Sequence, residues 1–186
     1  MPASEAAIAL YHQRLALYRE RTSAGLTAAW DELDTYGDED METYVARVTP
    51  LLEGAKAATV ATSAAFFALA LGIPPASVRA RDVDVEPRIT HPFLSAWHAL
   101  KERRPIEEVA SAGRSQAQAV GFDFIQSTSR RTGDYVARAS GSDVGWRRVP
   151  GGKACAWCFR VAGQTYRTSQ SADFGHDRCD CVAVPV

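Results

Sequence analysis

Cysteine occurs four times in the 186 residues, and all four fall in the last 32, beside one histidine. The order is Cys155-Ala156-Trp157-Cys158, seventeen residues, then His176-Asp177-Arg178-Cys179-Asp180-Cys181. A C-x2-C turn brings two thiolates to one ion because the chain doubles back between them. His176 and Cys179 repeat that spacing with imidazole in place of one sulfur. Structural zinc takes four nitrogen or sulfur ligands in a tetrahedron. The array therefore offers five candidates for four places: Cys155, Cys158 and His176, with one of Cys179 and Cys181, and the spacing leaves those last two undistinguished. Other readings of the same residues stay open. Four cysteines allow three disulfide connectivities, and they also allow buried thiols. A nucleophilic cysteine with His176 as its base is a further reading, although clustered thiols suit ligands better than one nucleophile with a helper. No basic segment follows Met1, so a reducing compartment is expected, which disfavours disulfides.

The elements that must carry this array divide the chain at residue 144. The sequence predicts a mainly α fold: a body of four or five helices over residues 1–144, then a small β-rich, zinc-stapled module over 145–186. Ser4 can cap a first helix, and Ile8, Tyr11, Leu15 and Tyr18 then fall on one face. Leu26, Trp30 and Leu33 resume the pattern, with Gly25 as a candidate interruption. A second helix starts near Asp38–Asp40, where carboxylates suit the positive end of the helix dipole. Thr49-Pro50 either kinks it or starts a new helix with proline at its first position. The run ends at Leu71, stopped by Gly72, Pro74 and Pro75. Residues 73–91 read as a linker or surface loop and a candidate joint in the body. A short helix follows around Phe93–Leu100. A long one opens at Pro105 and reaches Ser140, with Gly121 and Gly133 as weak points. In the tail, Gln164–Thr168 has strand composition after Gly163.

Composition limits the function. Apolar content of 46% and charged content of 23% are those of a folded soluble protein. The net charge of −1 argues against a whole-surface nucleic-acid binder. The charge is unevenly spread: residues 1–100 hold 8 Lys+Arg against 13 Asp+Glu, a net −5, and residues 101–186 hold 13 against 9, a net +4. Arg130, Arg131, Trp146, Arg147 and Arg148 are therefore candidate contacts to nucleic acid or to a partner, with Arg160 nearby. The alternative for these arginines is a solvated face or ion pairs. The most apolar run, Ala57–Leu71, is shorter than the ~18 residues of a membrane span and suits a buried helix better. No phosphate-binding glycine loop, zinc-deaminase pattern or H-E-x-x-H occurs, and no small-molecule substrate is expected. Gly113-Arg114-Ser115-Gln116-Ala117 lacks the second glycine of a nucleophile elbow and falls inside a predicted helix. His12, His91 and His98 stand singly.

The tail resembles the MuF-like minor capsid proteins of tailed phages that infect actinobacteria. The residues that carry the likeness are Gly145-Trp146-Arg147-Arg148-Val149, Cys155-Ala156-Trp157-Cys158, Gly163-Gln164-Thr165-Tyr166, the run Phe174–Cys181, and the closing Val182-Ala183-Val184-Pro185. The body is similar more loosely, through an N-terminal pair of Ala- and Arg-bearing helices, a Pro-rich joint and an Ala-rich helix before the tryptophan. The resemblance implies a virion structural protein acting in head assembly and in DNA packaging or ejection. Its expected partners are the portal and other head proteins, with weak, non-specific DNA contact at most and no membrane. The expected location is the capsid interior or portal region, and the host cytoplasm during assembly. Some relatives are labelled capsid maturation protease, which is the alternative function. No matching nucleophile, base and acid is found in this sequence. A free-standing DNA-binding zinc module is the third reading. Asp180 stands where many relatives have arginine, which lowers the positive charge of that turn.

Overall fold

The computed structural model describes residues 3–74, 78–141, 144–152, 154–167 and 181–186. Helix α1 spans Glu5–Trp30, α2 Asp38–Leu71, α3 His91–Lys101 and α4 Ile106–Ser140, with a short 3-10 turn at Ala80–Asp82. The tail adds β1 Trp146–Val149, α5 Ala156–Val161, β2 Thr165–Tyr166 and β3 Val182–Pro185. The protein is mainly helical with one small sheet, as the sequence predicts.

Local chemistry sets the helix ends. Ser4 Oγ accepts from the Ala7 N–H at 3.2 Å and caps α1. Gly72 takes φ +66° and ends α2, the left-handed conformation that glycine adopts without Cβ strain. Neither Gly25 nor Pro50 ends a helix, so no new helix starts at Pro50. Gly25 lies inside α1, and Pro50 lies inside one continuous α2 of 34 residues. Pro50 sits on the exposed side of the helix, where water can meet the carbonyl its missing N–H leaves unpaired.

The body's core is helix on helix. Helix α1 runs antiparallel to both α2 and α4. Tyr11 stacks on Phe66 at 4.0 Å and meets Phe67 edge-on, and its hydroxyl bonds Ser63 and Ser129 at 3.0 and 2.5 Å. At the other end Trp30 stacks on Tyr36 and meets Tyr44 and Phe93 edge-on, while its Nε1 donates to the Ala110 carbonyl at 2.9 Å. The glycines of α4 are points of closest approach. A Cβ at Gly121 would lie 2.8 Å from the Ser23 backbone, and one at Gly113 only 1.9 Å from the Trp30 ring. Gly133 faces the Phe67 ring in the same way. These glycines are how α4 gets near α1 and α2.

Between α2 and α3, Val83 is buried, and Val78, Val85 and Ile89 pack against the core that the helices on both sides share. By length and composition α2 is, among the described residues, the one helix that could cross a membrane. Its Val60, Ala64, Phe66 and Phe67 are instead buried in the protein core, as in a core helix.

The sheet has the order β2-β1-β3, with both pairings antiparallel. Trp146 pairs with Tyr166 on one side and Pro185 on the other. All four residues of β3 are buried. Trp146, Val182, Ala183 and Val184 belong to the same apolar core as the helices, and Trp146 meets Phe67 edge-on at 5.6 Å.

Candidate functional site: the cysteine knuckle and its arginine

Cys155 caps the N-terminal end of α5 in an extended conformation (φ −79°, ψ 163°). Cys158 lies in its first turn, so the C-x2-C spacing becomes a loop-to-helix step. That step sets the two sulfurs 3.7 Å apart. A disulfide needs about 2.05 Å, so the pair is unbonded. Two sulfurs on a tetrahedral zinc at ~2.3 Å would stand about 3.8 Å apart, close to the spacing observed. Cys155 is exposed, and Cys158 is fully buried. Cys158 packs with buried Cys181 and with Ala154 in a small cluster separate from the main core.

Strand β1 supplies the cation. Trp146 and Arg148 are two apart and lie on one face of the strand. Trp146 packs on the body, and Arg148 reaches the knuckle. Its Nη1 donates to Cys158 Sγ at 3.2 Å, and its guanidinium lies 5.1 Å from the centre of the Trp157 ring. Arg148 is 1% exposed. A cation buried so fully costs much free energy unless it is paired and hydrogen-bonded, and a sulfur acceptor with an aromatic face meets part of that need.

A polar relay ties the knuckle to the body. Gln126 on α4 donates through Nε2 to the Cys181 carbonyl at 2.9 Å and accepts from Arg19 Nη1 at 3.3 Å. Arg19 is itself buried on α1. It donates to the Leu15 carbonyl, and its guanidinium lies over the Phe122 ring. A cavity of about 10 Å³ lies beside the relay, lined by Arg19, Gln126, Ser129 and Cys181 among others. That is near the smallest space that holds one water.

Of the five metal candidates, Cys155 and Cys158 are brought together and Cys181 packs on Cys158. His176 and Cys179 lie outside the described residues. Among the described residues no set of three His, Cys, Asp or Glu side chains is gathered closely enough to hold a metal ion. The basic candidates separate. Trp146 and Arg148 are buried and occupied inside the protein. Arg147 and Arg130 are half-buried and Arg131 is exposed. Arg131 lines a polar groove of about 410 Å³ between α4 and residues 84–91, together with Asp84, Glu86, His91 and Asp123. Sequence reasoning did not pair Arg148 with Cys158 or Gln126 with Cys181. The period-two step from Trp146 to Arg148 was the one available signal, since it gives the arginine the same face as a core tryptophan.

The architecture is a helical body with a cysteine-bearing sheet module laid against it. The VG15 protein family matches the chain over residues 2–186, and the chain belongs to that family. Membership makes it a phage-encoded protein. No curated protein and no solved structure matches it.

Proposed function

We propose that the chain is a structural component of the phage head, a minor capsid protein of the MuF-like kind. In this reading it acts in head assembly and in DNA packaging or ejection beside the portal. The observation that carries the proposal is the phage-family match over nearly the whole chain, taken with the tail's likeness to minor capsid proteins. The geometry adds a surface suited to assembly. Ala57, Ala61, Ala65 and Leu69 recur one turn apart along the exposed side of α2, and Leu69 is 64% exposed. Small side chains in such a row let a second helix approach to about 8 Å. The portal is the partner proposed for it, and the site of action is the assembling head in the host cytoplasm and then the virion. With Trp146 and Arg148 inside the protein, DNA contact falls to exposed arginines such as Arg131. It should be sequence-independent and should weaken steeply with salt.

Heads purified from infected cells test the proposal. The protein is expected in them at low copy and crosslinked to the portal. Ala61→Glu in α2 is expected to abolish that crosslink while helical circular dichroism is retained. Absence of the protein from assembled heads would refute the role. The role is structural and not catalytic, so cognate major capsid and scaffold proteins incubated with the chain should stay uncut. Specific cleavage would favour the maturation-protease alternative.

A further inference from the structure

We propose that the groove between α4 and residues 84–88 binds an extended, positively charged peptide segment of a partner protein, which pairs as a strand with the open edge of that stretch. Burial alternates strictly from Asp82 to Thr90: Val83, Val85, Pro87 and Ile89 turn toward the protein, while Asp84, Glu86 and Arg88 are exposed. A period of two is the pattern of a strand with one covered face. Val83 enters the stretch with extended backbone (φ −108°, ψ 107°), and no turn or bend interrupts residues 84–88. Yet the stretch belongs to no sheet. Among the described residues, the N–H groups of Asp84, Val85, Glu86 and Arg88 donate to no carbonyl or side chain of the protein. A row of unpaired donors and acceptors is a template for a strand from another chain.

The two edges of the stretch are unequal. In a strand, a residue's N–H and C=O point to one edge and its neighbours' to the other. Pro87 has no N–H, which blunts the edge it shares with Val85. The edge of Asp84, Glu86 and Arg88 keeps all three donors. The groove runs along this stretch, with α4 as its opposite wall. One part, of about 410 Å³, is lined by Asp84, Glu86 and Arg88 and by Asp123 and Arg131 of α4. A second part, of about 490 Å³, continues it past Asp84 and Arg131 to Tyr135. The lining sets the charge of the occupant. The two parts together hold five carboxylates and three arginines. Among the described residues, no ion pair is made by Asp84, Glu86 or Asp123. Carboxylates on both walls are thus open to the lysines or arginines of a peptide lying between them. None of these residues belongs to the exposed alanine row of α2, so the groove is separate from the surface proposed for the portal.

The test uses the full chain and two fluorescein-labelled peptides, one of alternating lysine and valine and one with glutamate in place of lysine. Fluorescence anisotropy should show the lysine peptide binding about tenfold or more tightly than the glutamate peptide. Amide exchange followed by NMR should be fast at Asp84, Glu86 and Arg88 in the free chain. The lysine peptide should slow those three amides and leave Val85 unchanged, the alternation that pairing at one edge requires. Glu86→Pro removes a donor from the pairing edge and should weaken binding about tenfold. Glu86→Gln keeps the donor and should weaken it only about two- to three-fold. Pro87→Ala, on the other edge, should leave the affinity unaltered. If Glu86→Pro loses its helical circular dichroism, lysine peptides N-methylated at alternate residues decide: methylation of one alternate set should abolish binding, and methylation of the other should not. The proposal is overturned by absence of binding at millimolar peptide, by equal affinity for the two peptides, or by protection that does not alternate along residues 84–88. It is equally overturned by binding that survives N-methylation of either set, or by a duplex DNA oligonucleotide that produces the same protection, which would give the groove to nucleic acid.

Discussion

The body and the tail bury their residues by different means. In the body, long helices carry aromatic residues that stack end to end, and three glycines of α4 let the partners close on it. The tail has a sheet whose β2 is two residues long and a knuckle whose own buried cluster holds just two cysteines. A module of this size cannot bury enough apolar area to order itself. Two outside resources supply the shortfall: the body's core, which takes Trp146 and β3, and the polar contacts around Cys158 and Cys181. The tail therefore has a wall shared with the helices and a wall that depends on sulfur chemistry. Variants that act on one wall should be distinguishable from variants that act on the other.

Removing the tail after residue 144 is the strongest way to break that comparison. If the shared wall matters, the body loses the cover that Trp146 and Val182–Val184 give to Phe67 and its neighbours. Loss of a buried tryptophan alone costs about 3–5 kcal/mol. The truncated body should unfold at a clearly lower urea concentration than the full chain, or fail to fold. An unchanged midpoint would mean that the two parts are independent. Next in size is a change confined to the body. Gly113→Val puts a branched side chain into the Trp30 ring and should cost about 3 kcal/mol or more by overpacking. The reactivity of the buried Cys158 thiol toward a thiol reagent in the folded chain should stay the same, because Gly113 lies near the N-terminal end of α4, away from Gln126.

How much of this was legible in the sequence follows the same division. The helix ends were readable because their causes are local: the Ser4 cap, the acidic start of α2 and the left-handed Gly72. The apolar face of α1 was readable from its period, and Ile8, Tyr11 and Leu15 are buried as that period requires. Gly121 and Gly133 read as weak points because propensity prices a glycine against alanine in isolation. In the fold they admit Ser23 and Phe67, neighbours more than 60 positions away that no local rule can see. Pro50 read as a kink or the start of a new helix, and the second alternative fails because α2 runs through it with Pro50 on its exposed side. In the tail, the array gave the cysteines and β2 gave its composition. Strand β1 was missed because its four residues include two arginines. Arg148 read as half of a surface basic pair, and its buried place depends on a fold that brings Cys158 to it.

Gln126→Leu sharpens the comparison at the relay. It leaves the Cys181 carbonyl and Arg19 each short of one partner, and a buried polar group left unpaired costs roughly 1–3 kcal/mol. The loss should appear at both walls: a lower unfolding midpoint for the whole chain and a faster reaction of the buried Cys158 and Cys181 thiols with a thiol reagent. A variant that moves the midpoint alone would show that the relay serves the body and does not reach the knuckle.

The smallest effect is expected at the point farthest from the tail, the turn between α1 and α2. Burial tends to raise the Asp40 carboxyl, but bonds donated by the Thr35 N–H at 2.7 Å, the Thr35 hydroxyl at 2.8 Å and the Tyr36 N–H at 2.7 Å outweigh it. The net effect holds Asp40 below its ordinary value. Those bonds also secure Tyr36, whose φ of 57° is left-handed and whose ring stacks on Trp30. A carboxyl lowered by folding stabilises the protein fully above its unfolded value of about 3.9. That contribution fades as pH falls through the folded value. Asp40→Ala should therefore cost about 1 kcal/mol at neutral pH, the size of a lost helix cap. The gap between variant and wild type should narrow on acidification below about pH 4. Urea midpoints of the two proteins across that range give the measurement, and a gap that ignores pH would remove the carboxylate from the explanation. The reactivity of the buried Cys158 and Cys181 thiols should be identical in both, since nothing in this turn touches the relay or the knuckle. A change there would mean that strain at the first turn travels the length of α1, and that the two walls are coupled more tightly than Gln126 alone allows.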